Sequence, residues 1–278
     1  MNRDSPRTPV AGHRGKILIA NWKLQGTGPH LDQWIQAVQG LEEIHSRPIQ
    51  VILCPPAVWL ERARERLHEG ALALGIQNVS AESAGPFTGE ISAAMAYEVG
   101  ARYALVGHSE RRRLFGETDP VVARKAEQSA RAGLTPIVCI GETAEERRAG
   151  ETERVLAKQL GALDSLSTEA LNALWIAYEP VWSIGTGIPA TADNLREVAA
   201  WIRSHVASSD ATMADRLRLF YGGSVGAGNA AVLGALDGVD GLLVGGASVE
   251  ADSMVALCRS MAGGMPKSGC GTGSSLRG

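Results

Sequence analysis

Glu179 closes a run of strand-forming residues, Leu174-Trp175-Ile176-Ala177-Tyr178, and Pro180 follows it at once. Proline removes a backbone donor and disfavours helical geometry at the residue before it, so the strand stops at the carboxylate. Next come Val181-Trp182 and then Ser183-Ile184-Gly185-Thr186-Gly187. The paired glycines open backbone angles closed to other residues, and Trp182 is an apolar handle by which the segment can close. The pattern reads as a general base at a strand end, beneath a lid spanning residues 180–187. Two further apolar runs end in residues able to assist it: Asn21 and Lys23 follow 16–20, and His108 and Glu110 follow 102–106. A lysine, a histidine and a carboxylate meeting at one small site suit proton abstraction beside a carbonyl. Glu179 would be the base, Lys23 a fixed positive charge, and His108 a hydrogen-bond donor to the developing oxyanion. Taken singly, a buried carboxylate or a structural histidine accounts for each residue equally well. Their joint position at strand ends is what argues for chemistry.

Those positions share one site only if the strands share one rim. Apolar runs at 16–20, 49–53, 71–77, 102–106, 135–140, 174–178, 218–221 and 241–244 read as strands. They are continuous rather than alternating, as expected of parallel strands buried on both faces. Helices are predicted over 31–44, 57–69, 91–98, 144–160, 230–236 and 253–261, with 78–90 a long loop. Another helix runs from Asp119 as N-cap, with Pro120 in its first turn, to Gly133. A further one, beyond Thr191, carries Leu195, Val198, Ala199, Ile202 and Val206 on one stripe. Strand-then-helix units repeated over about 250 residues predict an α/β, single-domain (β/α)8 barrel, eight parallel strands each followed by a helix. An open doubly wound sheet would want a glycine fingerprint after the first strand, and Asn21-Trp22-Lys23 is not one. In such a barrel the residues just after the strands gather at the C-terminal face. Gly185, Gly222-Gly223-Ser224 and Gly245-Gly246 then reach the same rim, where glycine-bearing turns bring backbone N–H groups close to an anion. A small phosphorylated carbonyl compound is the substrate class this predicts.

Bulk properties narrow the field. The chain has 278 residues, 45% of them hydrophobic and 21% charged, which is globular composition with material for a large core. A formal net charge of −3 offers no basic field for nucleic acid. Cys54, Cys139, Cys258 and Cys270 and the six histidines show no metal-ligand pairing, so neither a zinc site nor a disulfide framework is expected. No run of 18 apolar residues and no hydrophobic signal segment is present, so a cytoplasmic protein that does not enter a membrane is predicted. Residues 1–15 read as a flexible leader, 16–262 as the barrel, and 263–278 as a disordered Gly/Ser-rich tail.

Seven segments in order carry a resemblance: ANWKLQG from Ala20, GPFTGEIS from Gly85, VGHSERRRLFGE from Val106, VCIGE from Val138, AYEPVWSIGTG from Ala177, YGGSV from Tyr221 and LLVGGAS from Leu242. Together they resemble the triosephosphate isomerase family, whose fold is the TIM barrel. The resemblance implies Asn21, Lys23, His108 and Glu179 as catalytic residues, with Glu110 a supporting carboxylate. It also implies Gly185, Ser224, Gly245 and Gly246 as phosphate-binding residues and no metal or organic cofactor. The reaction implied interconverts dihydroxyacetone phosphate and D-glyceraldehyde 3-phosphate through an enediol(ate), in glycolysis and gluconeogenesis. A homodimer is implied as well, with the loop around Thr88 reaching the partner's site. Departures from the family pattern are Leu24-Gln25 after the lysine, Ser183 where alanine is common, Ile188 where lysine is usual, and Gly226-Ala227 after YGGSV. They leave one alternative open, a paralogue acting on a four-carbon ketose phosphate such as erythrulose phosphate. A non-catalytic phosphate-binding barrel would have lost Lys23, His108 or Glu179, and all three are present.

Overall fold

The computed structural model describes residues 15–263 apart from 43, 45–48, 69, 71, 187 and 188. Its strands are β1 (Lys16–Asn21), β2 (Ile49–Cys54), β3 (Leu72–Ile76), β4 (Tyr103–Val106), β5 (Thr135–Ile140), β6 (Trp175–Tyr178), β7 (Arg218–Tyr221) and β8 (Gly241–Val244). They pair in sequence order and close β8 onto β1 as a parallel barrel. The predicted (β/α)8 fold is therefore present, with all eight strand runs in place.

Two apolar layers explain why those runs are unbroken. Side chains alternate across a strand; along β1, Ile17 and Ile19 join the barrel interior while Leu18 and Ala20 join the layer beneath the helices. Ile52, Cys54, Leu105, Ile137, Cys139, Ala177, Phe220 and Leu243 complete the buried inner layer. Tyr103 and Trp175, the first residues of β4 and β6, pack with ring centroids 5.1 Å apart, and Phe220 lies 5.3 Å beyond Trp175. The interior is thus filled from its N-terminal end, and the C-terminal rim is left to polar side chains.

Several helices differ from expectation for local reasons. The stretch read as 144–160 is two helices, Ala144–Arg148 and Thr152–Gly161. Gly150 between them sits at φ 73°, a left-handed turn that ends the first. The N-cap before Pro120 is Thr118 rather than Asp119; Asp119 is already helical, and its carboxylate receives Arg112 Nη1 at 2.6 Å. The first helix is Gly28–Gln39, started by Thr27, whose hydroxyl accepts from the His30 N–H. Ser109–Phe115, Thr168–Ala173 and Ala211–Arg216 are helices that the apolar pattern did not announce. Cys54, Cys139 and Cys258 are buried and form no disulfide. Cys270, almost all of the leader and all but the first residue of the tail fall outside the described residues.

Barrel closure depends on one small residue. Gly241 pairs with Ile17 across β8 and β1, and a Cβ at 241 would sit 1.9 Å from the Ile17 carbonyl oxygen. Backbone cannot yield as a side chain can, so Gly241→Ala is expected to cost about 3 kcal/mol or more in chemical unfolding. Gly228, in the helix Ala227–Gly234 with open space around its Cα, is the control. Gly228→Ala should leave stability equal or raise it by up to about 1 kcal/mol. Equal stability of the two variants would contradict this account of closure.

Candidate active site

Asn21, Lys23, His108, Glu179, Gly185, Ser224, Gly245 and Gly246 line one cleft of about 240 Å³ at the C-terminal rim. Glu110 stands behind Lys23 and does not line it. Each side chain leaves the end of its strand. Glu179 follows β6, and its backbone N–H bonds to Ile140 O of β5 at 2.7 Å, carrying the ladder one residue past the strand.

The carboxylate of Glu179 is only 2% exposed but accepts a backbone hydrogen bond and faces the His108 imidazole. Oε2 accepts from the Ser109 N–H at 2.9 Å, and Oε1 lies 3.1 Å from His108 Nε2. The tautomer of His108 follows from its other nitrogen. His108 caps the helix Ser109–Phe115, and its Nδ1 accepts the Glu110 N–H at 3.2 Å. Nδ1 therefore carries no proton, and Nε2–H is the donor facing the cleft.

Lys23 has φ 54°, the one non-glycine residue with positive φ among those described. Such a conformation costs about 1–2 kcal/mol and persists only where surroundings impose it. Here the Asn21 Oδ1 accepts the Lys23 N–H at 3.1 Å, and Gln77 Nε2 donates to the carbonyls of both Lys23 and Cys54 at 2.9 Å. The Lys23 Nζ donates to Glu110 Oε1 at 2.6 Å. Burial by itself would raise the Glu110 carboxyl, but the hydrogen bond and charge of Lys23, with His108 and Arg113 beyond, outweigh it and hold Glu110 below the ordinary carboxylate value.

Glycine makes room for the base. A Cβ on Gly222 would come within 2.9 Å of Glu179 Cγ, and one on Gly141 within 1.8 Å of the Glu179 carbonyl oxygen. Beneath the lid a second carboxylate, Glu142, is wholly buried. It accepts from Tyr178 Oη at 3.1 Å and from Trp182 Nε1 at 2.9 Å, while the Arg147 guanidinium lies over the Trp182 ring at 4.4 Å. Burial, followed by the charge of Glu142, pushes the Tyr178 phenol well up. Burial and then neighbouring Glu179 do the same to the Cys139 thiol, which is therefore no nucleophile. No group of three or more His, Cys, Asp or Glu among the described residues could hold a metal ion. Gly187 of the lid and Ile188 beside it lie outside the described residues.

Sequence reasoning missed Ser109 and Gln77, and it read Gly222 only as part of an anion-binding turn, not as the residue that makes room for Glu179. Ser109 acts through its backbone N–H, which no side-chain pattern announces. Gln77 did carry a signal: it is the polar residue that ends the run read as 71–77, and β3 stops one residue before it, which gives it the same place as Glu179 after β6.

Fold and site together define a (β/α)8-barrel enzyme with its ionisable groups at the C-terminal rim. A family model described as triosephosphate isomerase matches residues 16–261. A triosephosphate isomerase of Dechloromonas aromatica is 45% identical over 247 residues, covering 88% of this chain and 98% of the relative. Another, of Paracidovorax citrulli, is 46% identical over 241 residues, covering 86% and 96%. The crystal structure of triosephosphate isomerase from Bartonella henselae superposes with a TM-score of 0.79 at 37% identity, covering 88% of this chain and 98% of that one. The chain belongs to the triosephosphate isomerase family. These comparisons do not favour the four-carbon alternative.

The Lys23–Glu110 pair has a pH signature. Because the folded-state value of Glu110 lies below its ordinary 4.5, the pair's contribution to stability is fully present above pH 4.5 and is lost as pH falls through the folded value. The stability difference between the parent and Glu110→Gln is therefore expected to hold steady through neutral pH and to narrow on acidification below 4.5. Urea unfolding at stepped pH measures it; a difference that grows on acidification would contradict the assignment.

Proposed function

We propose that the chain interconverts dihydroxyacetone phosphate and D-glyceraldehyde 3-phosphate by moving one proton between adjacent carbons. The observation that carries this reading is Glu179 beside His108 Nε2 at 3.1 Å, in a cleft rimmed by Ser224, Gly245 and Gly246. Glu179 takes the proton from C1 of the ketose and returns it at C2, with an enediol(ate) between. His108 Nε2–H donates to the oxygen on which charge develops, and Lys23 supplies fixed positive charge beside it. The hydroxyl proton must also pass from O1 of the ketose to O2; His108 Nε2 gives its proton to O2 and takes the one from O1, which returns the imidazole to its starting state. Asn21 holds Lys23 in position, and Glu110 orients its ammonium group. Backbone N–H groups of Gly185, Ser224, Gly245 and Gly246 bind the phosphate, with no metal or organic cofactor needed. The lid from Pro180 excludes water, which matters because an enediolate beside a phosphate can expel it.

The same reading includes a homodimer. Leu24 is 96% exposed directly after Lys23, and Phe87, Met95 and Phe115 are exposed on segments that follow the neighbouring strands β3 and β4. Apolar side chains gathered on one flank of the barrel are unfavourable in water and fit a partner surface. The loop around Thr88 would enter the partner's site from that flank.

For activity, Glu179→Gln is expected to lower kcat for the triose by about 10³-fold or more with KM little changed, since the amide keeps the shape and loses the base. Parent activity on D-glyceraldehyde 3-phosphate should far exceed that on L-erythrulose 1-phosphate; the reverse order would overturn the substrate assignment. For assembly, analytical ultracentrifugation at micromolar concentration should find a dimer, and Thr88→Arg should shift it toward monomer. A parent chain that sediments only as monomer would remove the dimer.

A further inference from the structure

The lid and the loop after β7 meet at one hydroxyl. Ser183 is fully buried, and its Oγ accepts the backbone N–H of Ser224 at 3.2 Å. The same oxygen lies 3.3 Å from Tyr221 Oη. Tyr221 Oη in turn accepts the N–H of Ala190, on the far side of the lid, at 3.0 Å. The arrangement is built closely: a Cβ on Gly223 would fall 2.2 Å from Tyr221 Oη, so only glycine lets the phenol reach beneath that loop. Residues before and after the lid tip are thereby joined to the loop that carries Ser224.

Resting on the reading of the Ser224 N–H as a phosphate donor, we propose that Ser183 is a positioning residue that occupies this amide and so sets the affinity of the site for phosphate. A phosphate oxygen and Ser183 Oγ compete for one proton. The anion wins, because charge-assisted hydrogen bonds are roughly twice as strong as neutral ones. The bond to Ser183 given up in the exchange nevertheless counts against binding. Ser183 Oγ remains within reach of Tyr221 Oη afterwards, so the exchange frees the amide without detaching the lid. The result is weaker product retention in a site whose remaining phosphate contacts are unchanged.

The test is inhibition of triose isomerisation by inorganic phosphate in the parent, Ser183→Ala and Tyr221→Phe. Alanine fits the buried position and removes only the oxygen; circular dichroism confirms folding. The inhibition constant for phosphate is expected to fall about 3- to 10-fold in Ser183→Ala, the worth of one net hydrogen bond, with KM falling alongside it and kcat not rising. Tyr221→Phe loosens the lid attachment but leaves the Ser183–Ser224 bond, so its inhibition constant should not fall. An unchanged or raised constant in Ser183→Ala overturns the proposal, as does an equal fall in Tyr221→Phe, which would make lid attachment the cause. If phosphate does not compete with the triose in the parent, the site reading fails, and the proposal with it.

Discussion

The start of the helix Ser109–Phe115 arranges all three ionisable groups of the site. Its first free backbone N–H groups have no partners within the helix and must find them outside. That of Glu110 goes to His108 Nδ1 and sets the tautomer; that of Ser109 goes to the Glu179 carboxylate and holds the base. The Glu110 side chain, one residue further, fixes the ammonium group of Lys23. Base, electrophile and cation come from β6, β4 and β1, yet their mutual geometry passes through three consecutive residues. A displaced helix start would misplace all of them together.

Close backbone approach is the second constraint, and it works in the same direction. Gly141 and Gly222 flank Glu179 from β5 and β7, where any side chain would collide with its carbonyl or its Cγ. With the surroundings this tight, the carboxylate has little freedom beyond its hydrogen bond from Ser109 and its contact with His108, which is how a buried charge is kept in one position without unpaired cost. Glu142 plays the same part beneath the lid: a wholly buried carboxylate satisfied by Tyr178 and Trp182, so that the lid's aromatic handle is tied to the barrel.

Much of this was legible in the sequence because parallel barrels leave a strong trace. Strands buried on both faces become unbroken apolar runs, and a polar residue at the end of such a run stands out. Asn21, His108 and Glu179 were visible for that reason, and the eight strands with them. The helix Ser109–Phe115 was not, because Ser-Glu-Arg-Arg-Arg shows no apolar stripe and the helix is held by its cap and ion pairs instead of by burial. Gly150 dividing 144–160 was equally silent, since a charged helix and two shorter charged helices have the same composition. Backbone donors such as the Ser109 N–H leave no mark on residue type at all. The positive φ of Lys23 could not be read either: it comes from Gln77 and Asn21, one of them distant in sequence.

The central claim is that one carboxylate carries the proton between two carbons. Running the conversion of dihydroxyacetone phosphate in deuterium oxide and examining the aldose by proton NMR tests it most directly. A carboxylic acid formed in the cleft exchanges its proton with solvent, so deuterium is expected at C2 of product from the parent chain. Product that retains the substrate's own hydrogen at C2 in every molecule would mean direct hydride migration between the carbons, and would contradict Glu179 as the base.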